Sequence, residues 1–282
     1  MESASHLENA EPSAPEMIEI WQEAADAVAD LAEQLDDEQW RAMTRCPGWT
    51  VADVVAHVVD VEEVLAGQPR PDHEPDWAAL PHVANDFSRF TEVGVDRRRG
   101  ASRTDVVDDL RATIALRRGQ LDALPPGEDI IGPLGNPTTL DRLLRMRCLD
   151  MWMHQQDIRT AIGMDGGLDT RPAWISYQQI RAALPVVWSK RAGAPGGDVV
   201  RIDVTGPGVV ATMAAVTEAD GRGVLVAPPE LAAVAVRLSW PDLVILASGR
   251  VDPADPELTA RIELNGDPGL GAALLQALSI TP

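Results

Sequence analysis

The stretch Arg45-Cys46-Pro47-Gly48-Trp49-Thr50-Val51-Ala52-Asp53-Val54-Val55-Ala56-His57 decides how the first half of the chain is read. Pro47-Gly48 marks a turn. Thr50 is followed three residues later by Asp53, a short-armed capping-box pair that starts a helix. Val51, Val54, Val55, Val58, Val61 and Leu65 then recur at helical spacing until Gly67 and Pro69 end the run. Valine is a middling helix former, so packing rather than propensity must hold this helix. His57 stands three residues after Val54 and four before Val61, at the border of the buried stripe.

The same period extends outward in both directions. Met17, Ile20, Trp21, Ala24, Val28, Leu31 and Leu35 form one face of an earlier helix. Residues 1–15, polar and carrying Pro12 and Pro15, have the composition of a disordered tail. Residues 67–83 read as a long surface connection, and 84–99 as an irregular helix around Phe87 and Phe90. Residues 104–124 place Val107, Leu110, Ile114, Leu121 and Leu124 on one side, and Pro125-Pro126-Gly127 stops them. After a loop at Gly132–Pro137, Thr138 or Thr139 caps a long helix through Leu140, Leu143, Leu144, Met151, Ile158 and Ala161, ended by Gly163. Residues 16–165 are therefore expected to form an antiparallel helical bundle.

The second half changes period. Val200-Arg201-Ile202-Asp203-Val204-Thr205 alternates as a half-buried strand does. Gly206-Pro207-Gly208 turns the chain into a second strand over Val209–Val216. Gly223–Ala227, Val234–Leu238 and Ala260–Leu264 are further strands; Pro241–Ser248 and Gly269–Leu278 are helices. The boundary falls near residues 163–175, and residues 175–282 are expected to form an α+β domain with a mainly antiparallel sheet.

The chain has 282 residues, 44 Asp+Glu against 24 Lys+Arg, and a formal charge of −20. Nucleic-acid backbone and anionic lipid both demand clustered positive charge, so neither is expected as a partner. No apolar run approaches the ~20 residues that span a bilayer. The first residues lack the apolar core of a secretory signal, so the chain is expected to be cytoplasmic. Cys46 and Cys148 read as reduced, buried structural thiols. Only Lys190 among the basic residues is lysine, a bias that accompanies GC-rich genomes.

Of five histidines, His6 lies in the tail, while His73 and His82 lie in the connection, where solvated surface histidine is the simple reading. His154 differs, like His57. It stands three residues after Met151 and four before Ile158, on the inward face of its helix, and Asp150 precedes it by four. Side chains at that spacing stack with Cβ atoms about 5–6 Å apart. A carboxylate and an imidazole thus point together into the bundle. Spacing alone leaves two readings open. One is a buried Asp–His pair with a separate core histidine. The other is a His–Asp–His metal site with one open position.

The segment 45–57 closely resembles the N-terminal motif of the mycothiol-dependent maleylpyruvate isomerase family. Asp150-Met151-Trp152-Met153-His154-Gln155-Gln156-Asp157-Ile158-Arg159 is similar to its second motif, in which a carboxylate precedes a histidine by four and Asp-aliphatic-Arg follows. The resemblance covers roughly residues 16–165. It implies a DinB-like four-helix metal-binding bundle with His57, Asp150 and His154 as ligands of a divalent ion, Zn²⁺ foremost. The family's carboxylate is glutamate; Asp150 is one methylene shorter. Leu238-Ser239-Trp240-Pro241-Asp242-Leu243-Val244, Ser248-Gly249-Arg250 and Asn265-Gly266-Asp267 are similar to the small sterol-carrier-like domain that often follows this bundle. There the family's functional arginine is matched to Arg250, whose plain alternative is a surface-paired arginine at a helix end.

The resemblance implies an enzyme that uses mycothiol, a low-molecular-weight thiol, to attack a small electrophile, giving cis–trans isomerisation or S-transfer. A monomer is implied. The competing expectation is a non-enzymatic metal-containing protein whose C-terminal domain binds an apolar ligand or a protein. A fourth protein ligand, His82 or Asp157, would favour that second reading.

Overall fold

The structure, a computed structural model, describes residues 11–70, 72–125 and 130–281. These fall into two compact units divided between Gly166 and Gly167.

The first unit contains α1 (Ala14–Glu33), α2 (Asp37–Trp40), α3 (Val51–Leu65), α4 (Asp86–Arg98), α5 (Arg103–Asp122), a hairpin of β1 (Ile130–Ile131) and β2 (Pro137–Thr138), and α6 (Leu140–Ala161). Helix α1 packs on α5 and α6, and α3 packs on α4, α5 and α6. The bundle is thus α1, α3, α5 and α6. Its core is built from Trp21, Val28, Val54, Val58, Leu110, Leu144, Met151 and Ile158, all essentially inaccessible to solvent. The capping box at α3 forms as its sequence predicts: Asp53 N–H donates to Thr50 Oγ1 and Thr50 N–H to Asp53 Oδ2. Thr139, not Thr138, caps α6.

Two expectations are corrected here. The 1–15 tail, whose first ten residues lie outside the described residues, is too long, because Ser13 caps α1. The Glu16 carboxylate accepts from Ser13 N–H at 2.7 Å. Helix α4 is not organised around Phe87, which is exposed. It buries Thr91, Glu92, Gly94, Val95 and Arg98 instead. That face is polar, so a hydrophobic-period reading misses it. Gly94 allows the approach, since a Cβ there would run into Asp60 of α3.

The second unit opens with α7 (Arg171–Val186), which runs on through a π turn at Val187–Arg191. The strand and turn patterns carried no element here. Trp174, Ile175, Ile180, Leu184 and Trp188 bury its inner face, and the Pro185 carbonyl accepts from Ser189 Oγ. Strands β3 (Val199–Thr205), β4 (Ala211–Thr217), β5 (Gly223–Leu225), β6 (Val234–Ser239) and β7 (Glu263–Gly266) form one sheet in the order β5-β4-β3-β6-β7. The β3–β6 ladder is parallel and the other three are antiparallel. Helix α8 (Trp240–Ala247) follows β6. Helix α9 (Pro256–Thr259) and α10 (Pro268–Ala277) flank β7. The last strand starts three residues later than its alternation suggests, because α9, capped by Asp255, is followed by a turn in which Arg261 N–H donates to the Leu258 carbonyl and Ile262 N–H to that of Thr259. No helix among the described residues is long and apolar enough to cross a membrane.

Candidate metal centre

Helix α3 delivers His57, and α6 delivers Asp150 and His154 one turn apart, as the stacking rule requires. His57 Nε2 lies 3.6 Å from Asp150 Oδ2, and His154 Nε2 lies 3.7 Å from Asp150 Oδ1. The imidazoles meet edge to face at 4.9 Å between centroids. The indole of Trp49 lies over both, at 5.1 Å from His57 and 6.3 Å from His154. Both histidines are buried, and the Asp150 side chain keeps 30% exposure, leaving one open side.

These spacings fit a divalent ion. Hydrogen-bonded nitrogen and oxygen approach to about 2.7–3.2 Å. Two donors bound tetrahedrally at ~2.1 Å from one ion stand about 3.4 Å apart. The three donor atoms lie within 4.8 Å of one another.

A buried ionic cluster backs the carboxylate. Arg147 Nη1 donates to Asp150 Oδ2 at 2.6 Å, and Arg147 Nε donates to Glu62 Oε1 at 2.8 Å. Glu62 is wholly buried; it also faces Arg117 and accepts from Trp21 Nε1. Burial would raise the Asp150 carboxyl, but Arg147 and both histidines outweigh it and hold it well below the usual carboxylate range. Burial lowers His57. For His154, burial acts downward, yet Asp150 and Asp157 prevail and raise it to about 10 in the metal-free protein.

The other residues singled out from the sequence fall as follows. Asp157 is buried on the opposite edge of His154, its Oδ2 3.1 Å from Nδ1. His82 is not a solvated surface residue. Its Nε2 lies 3.0 Å from Glu92 Oε2, and its ring rests on Gly48, whose φ of 76° a side chain would strain. Glu92, buried, also accepts from Trp49 Nε1 at 2.9 Å and pairs with Arg99. His73 is likewise tied down, 2.8 Å from Asp96 Oδ2. Neither His82 nor Asp157 joins the donor cluster among the described residues. Cys46 is buried, as expected, but is not without a polar partner: its thiol donates to Asp157 Oδ2 at 3.1 Å. Cys148 is buried, and burial pushes its thiol up. Arg250 belongs to the second unit, just past α8, half-buried, with Nη1 donating to the Ser248 carbonyl at 3.1 Å.

Sequence reasoning missed Arg147, Glu62 and Glu92. Arg147 precedes Asp150 by three, a signal that could have found it; nothing local marks Glu62 or Glu92.

Fold and cluster together define a helical-bundle protein with an inward His–Asp–His set, joined to an α+β unit. Residues 21–159 match the family described as the mycothiol maleylpyruvate isomerase N-terminal domain, and the first unit belongs to that family. Two crystal structures of the mycothiol-dependent maleylpyruvate isomerase, one of them a histidine-to-alanine mutant, are similar in fold. The mutant gives a TM-score of 0.57 at 12% identity, covering 94% of this chain and 96% of that one. The other gives 0.55 at 13%, covering 89% and 93%. Two uncharacterized proteins of Mycobacterium tuberculosis are 24% identical over 148 residues, 49% of this chain and 56% of theirs. The match thus spans about half the length of those relatives.

Proposed function

We propose that this protein is a metal-dependent enzyme that adds the thiol of mycothiol to a small electrophile. The observation that carries the reading is the set His57, Asp150 and His154, with donors at 3.6 and 3.7 Å where a hydrogen-bonded pair would close to about 3 Å. Three protein donors are the number that catalytic zinc sites use. A divalent ion held there, zinc foremost, lowers the pKa of a bound thiol so that it is thiolate at neutral pH.

The chain's own groups do the rest. Arg147 steadies the short Asp150 side chain from one turn earlier. Trp49 covers the two imidazoles and limits access of water. Arg250 is assigned to a carboxylate of the electrophile or of the thiol cosubstrate, for which its bidentate fork is suited. If the adduct turns and expels the thiol, the outcome is cis–trans isomerisation; if it is kept, the outcome is S-transfer. Both begin with the same addition.

The test is the metal content of the purified wild type beside His57→Ala and His154→Ala. About one equivalent in the wild type, lost in both variants, is expected. A thiol-dependent screen of carboxylated electrophiles follows, in which Arg250→Ala should raise KM. A wild type that takes up no zinc on reconstitution overturns the reading.

A further inference from the structure

We propose that Asp157 is the positioning residue that fixes His154 for metal binding, with Cys46 as its anchor; this rests on the metal reading above. An imidazole has two nitrogens, and the one that meets a metal is decided by what the other bonds. In His154 the two face opposite ways. Nε2 faces Asp150 at 3.7 Å, and Nδ1 faces Asp157 Oδ2 at 3.1 Å. An ionised carboxylate only accepts, so Nδ1 must carry the proton. Nε2 is thereby the nitrogen whose proton an ion would displace, and it faces Asp150.

Asp157 is itself held. The Cys46 thiol donates to the same Oδ2 at 3.1 Å, while its sulfur stays 4.0 Å from Nδ1. The closer contact of Cys46 is thus with the carboxylate, and its contact with the ring nitrogen is the longer one. Both side chains are buried, and a buried carboxylate requires donors of this kind. Asp150, His154 and Asp157 lie at i, i+4 and i+7, one stripe of α6. Cys46 comes from the turn that leads through Trp49 into α3. One acceptor oxygen thus ties the ring of α6 to the loop that precedes His57.

Cys46, His154 and Asp157 also have cation-site spacing among themselves. A second ion there, beside one on Nε2, would need an imidazole stripped of both protons, which a proton-bearing Nδ1 against a carboxylate makes unnecessary.

Zinc affinity, measured by competition with a chromophoric chelator, tests the assignment in Asp157→Ala and Asp157→Asn. Asp157→Ala should bind about 10–100-fold more weakly than wild type with helicity unchanged. Asp157→Asn, whose amide oxygen still accepts, should lose less. Nitrogen-detected NMR of zinc-loaded wild type should show His154 protonated at Nδ1, a readout that survives if Asp157→Ala fails to fold. Wild-type affinity in folded Asp157→Ala, a proton on Nε2, or two bound equivalents of zinc would each overturn the proposal and leave the metal reading standing. No zinc in the wild type sinks both.

Discussion

Arg147 donates to Asp150 Oδ2 at 2.6 Å, and that same oxygen faces His57 at 3.6 Å. One guanidinium therefore links the candidate metal centre to Glu62, the most deeply buried acid of the bundle. Removing it leaves the buried Glu62 with only the longer contacts from Arg117 and Trp21, each at 3.5 Å. Arg147→Met should destabilise the protein by about 3–5 kcal/mol, read by chemical denaturation. The double variant Arg147→Met/Glu62→Met should cost less than the sum of its singles. Additive singles would mean that the pair is not coupled.

Gly94 sets the spacing of α3 and α4. Its missing Cβ leaves room for Asp60, which is buried and bonded by Arg70. Alanine there forces the two helices apart or moves Asp60, at about 1–3 kcal/mol. A lowered Tm for Gly94→Ala is expected, although alanine is the better helix former; an unchanged Tm refutes the close approach.

Asp96 joins α4 to the long connection. Burial acts to raise its carboxyl, but hydrogen bonds from His73 and Arg99 prevail and lower it. A depressed carboxyl contributes stability above its unfolded value of 3.8, and that contribution is lost as pH falls through the lower folded value. Asp96→Asn should thus be less stable than wild type at neutral pH, by under about 1 kcal/mol for a half-buried group still in contact with solvent. The gap should close in acid; urea midpoints at neutral and acid pH would show it, and a constant gap would contradict it.

Cys148 is fully buried and its thiol is pushed up by that burial. It should resist a thiol reagent in the native protein at neutral pH and react once denaturant unfolds the bundle. A Cys46→Ser background isolates it. Rapid native labelling would place α6 in a looser packing than described.

The four bundle helices, the capping box at Thr50 and the stacking of Asp150 on His154 were legible because each depends on residues within a turn or two of one another. The strands β3 and β6 were legible for the same reason, as alternation is local. The polar inner face of α4 escaped because its partner, Asp60, is more than thirty residues away.

By itself the sequence determined which face of each helix turns inward, and that two histidines and an aspartate lie on such faces. Only the tertiary structure decided that α3 lies against α6. That packing brings His57 to within 3.6 Å of a residue 93 positions away. The tertiary structure also brought Glu62 to Arg147 and Cys46 to Asp157, and paired β3 with β6 in parallel. The reason is physical. Periodicity is a property of a few neighbouring backbone angles, whereas the choice of partner depends on how whole faces interlock and on where each buried charge finds its counterpart.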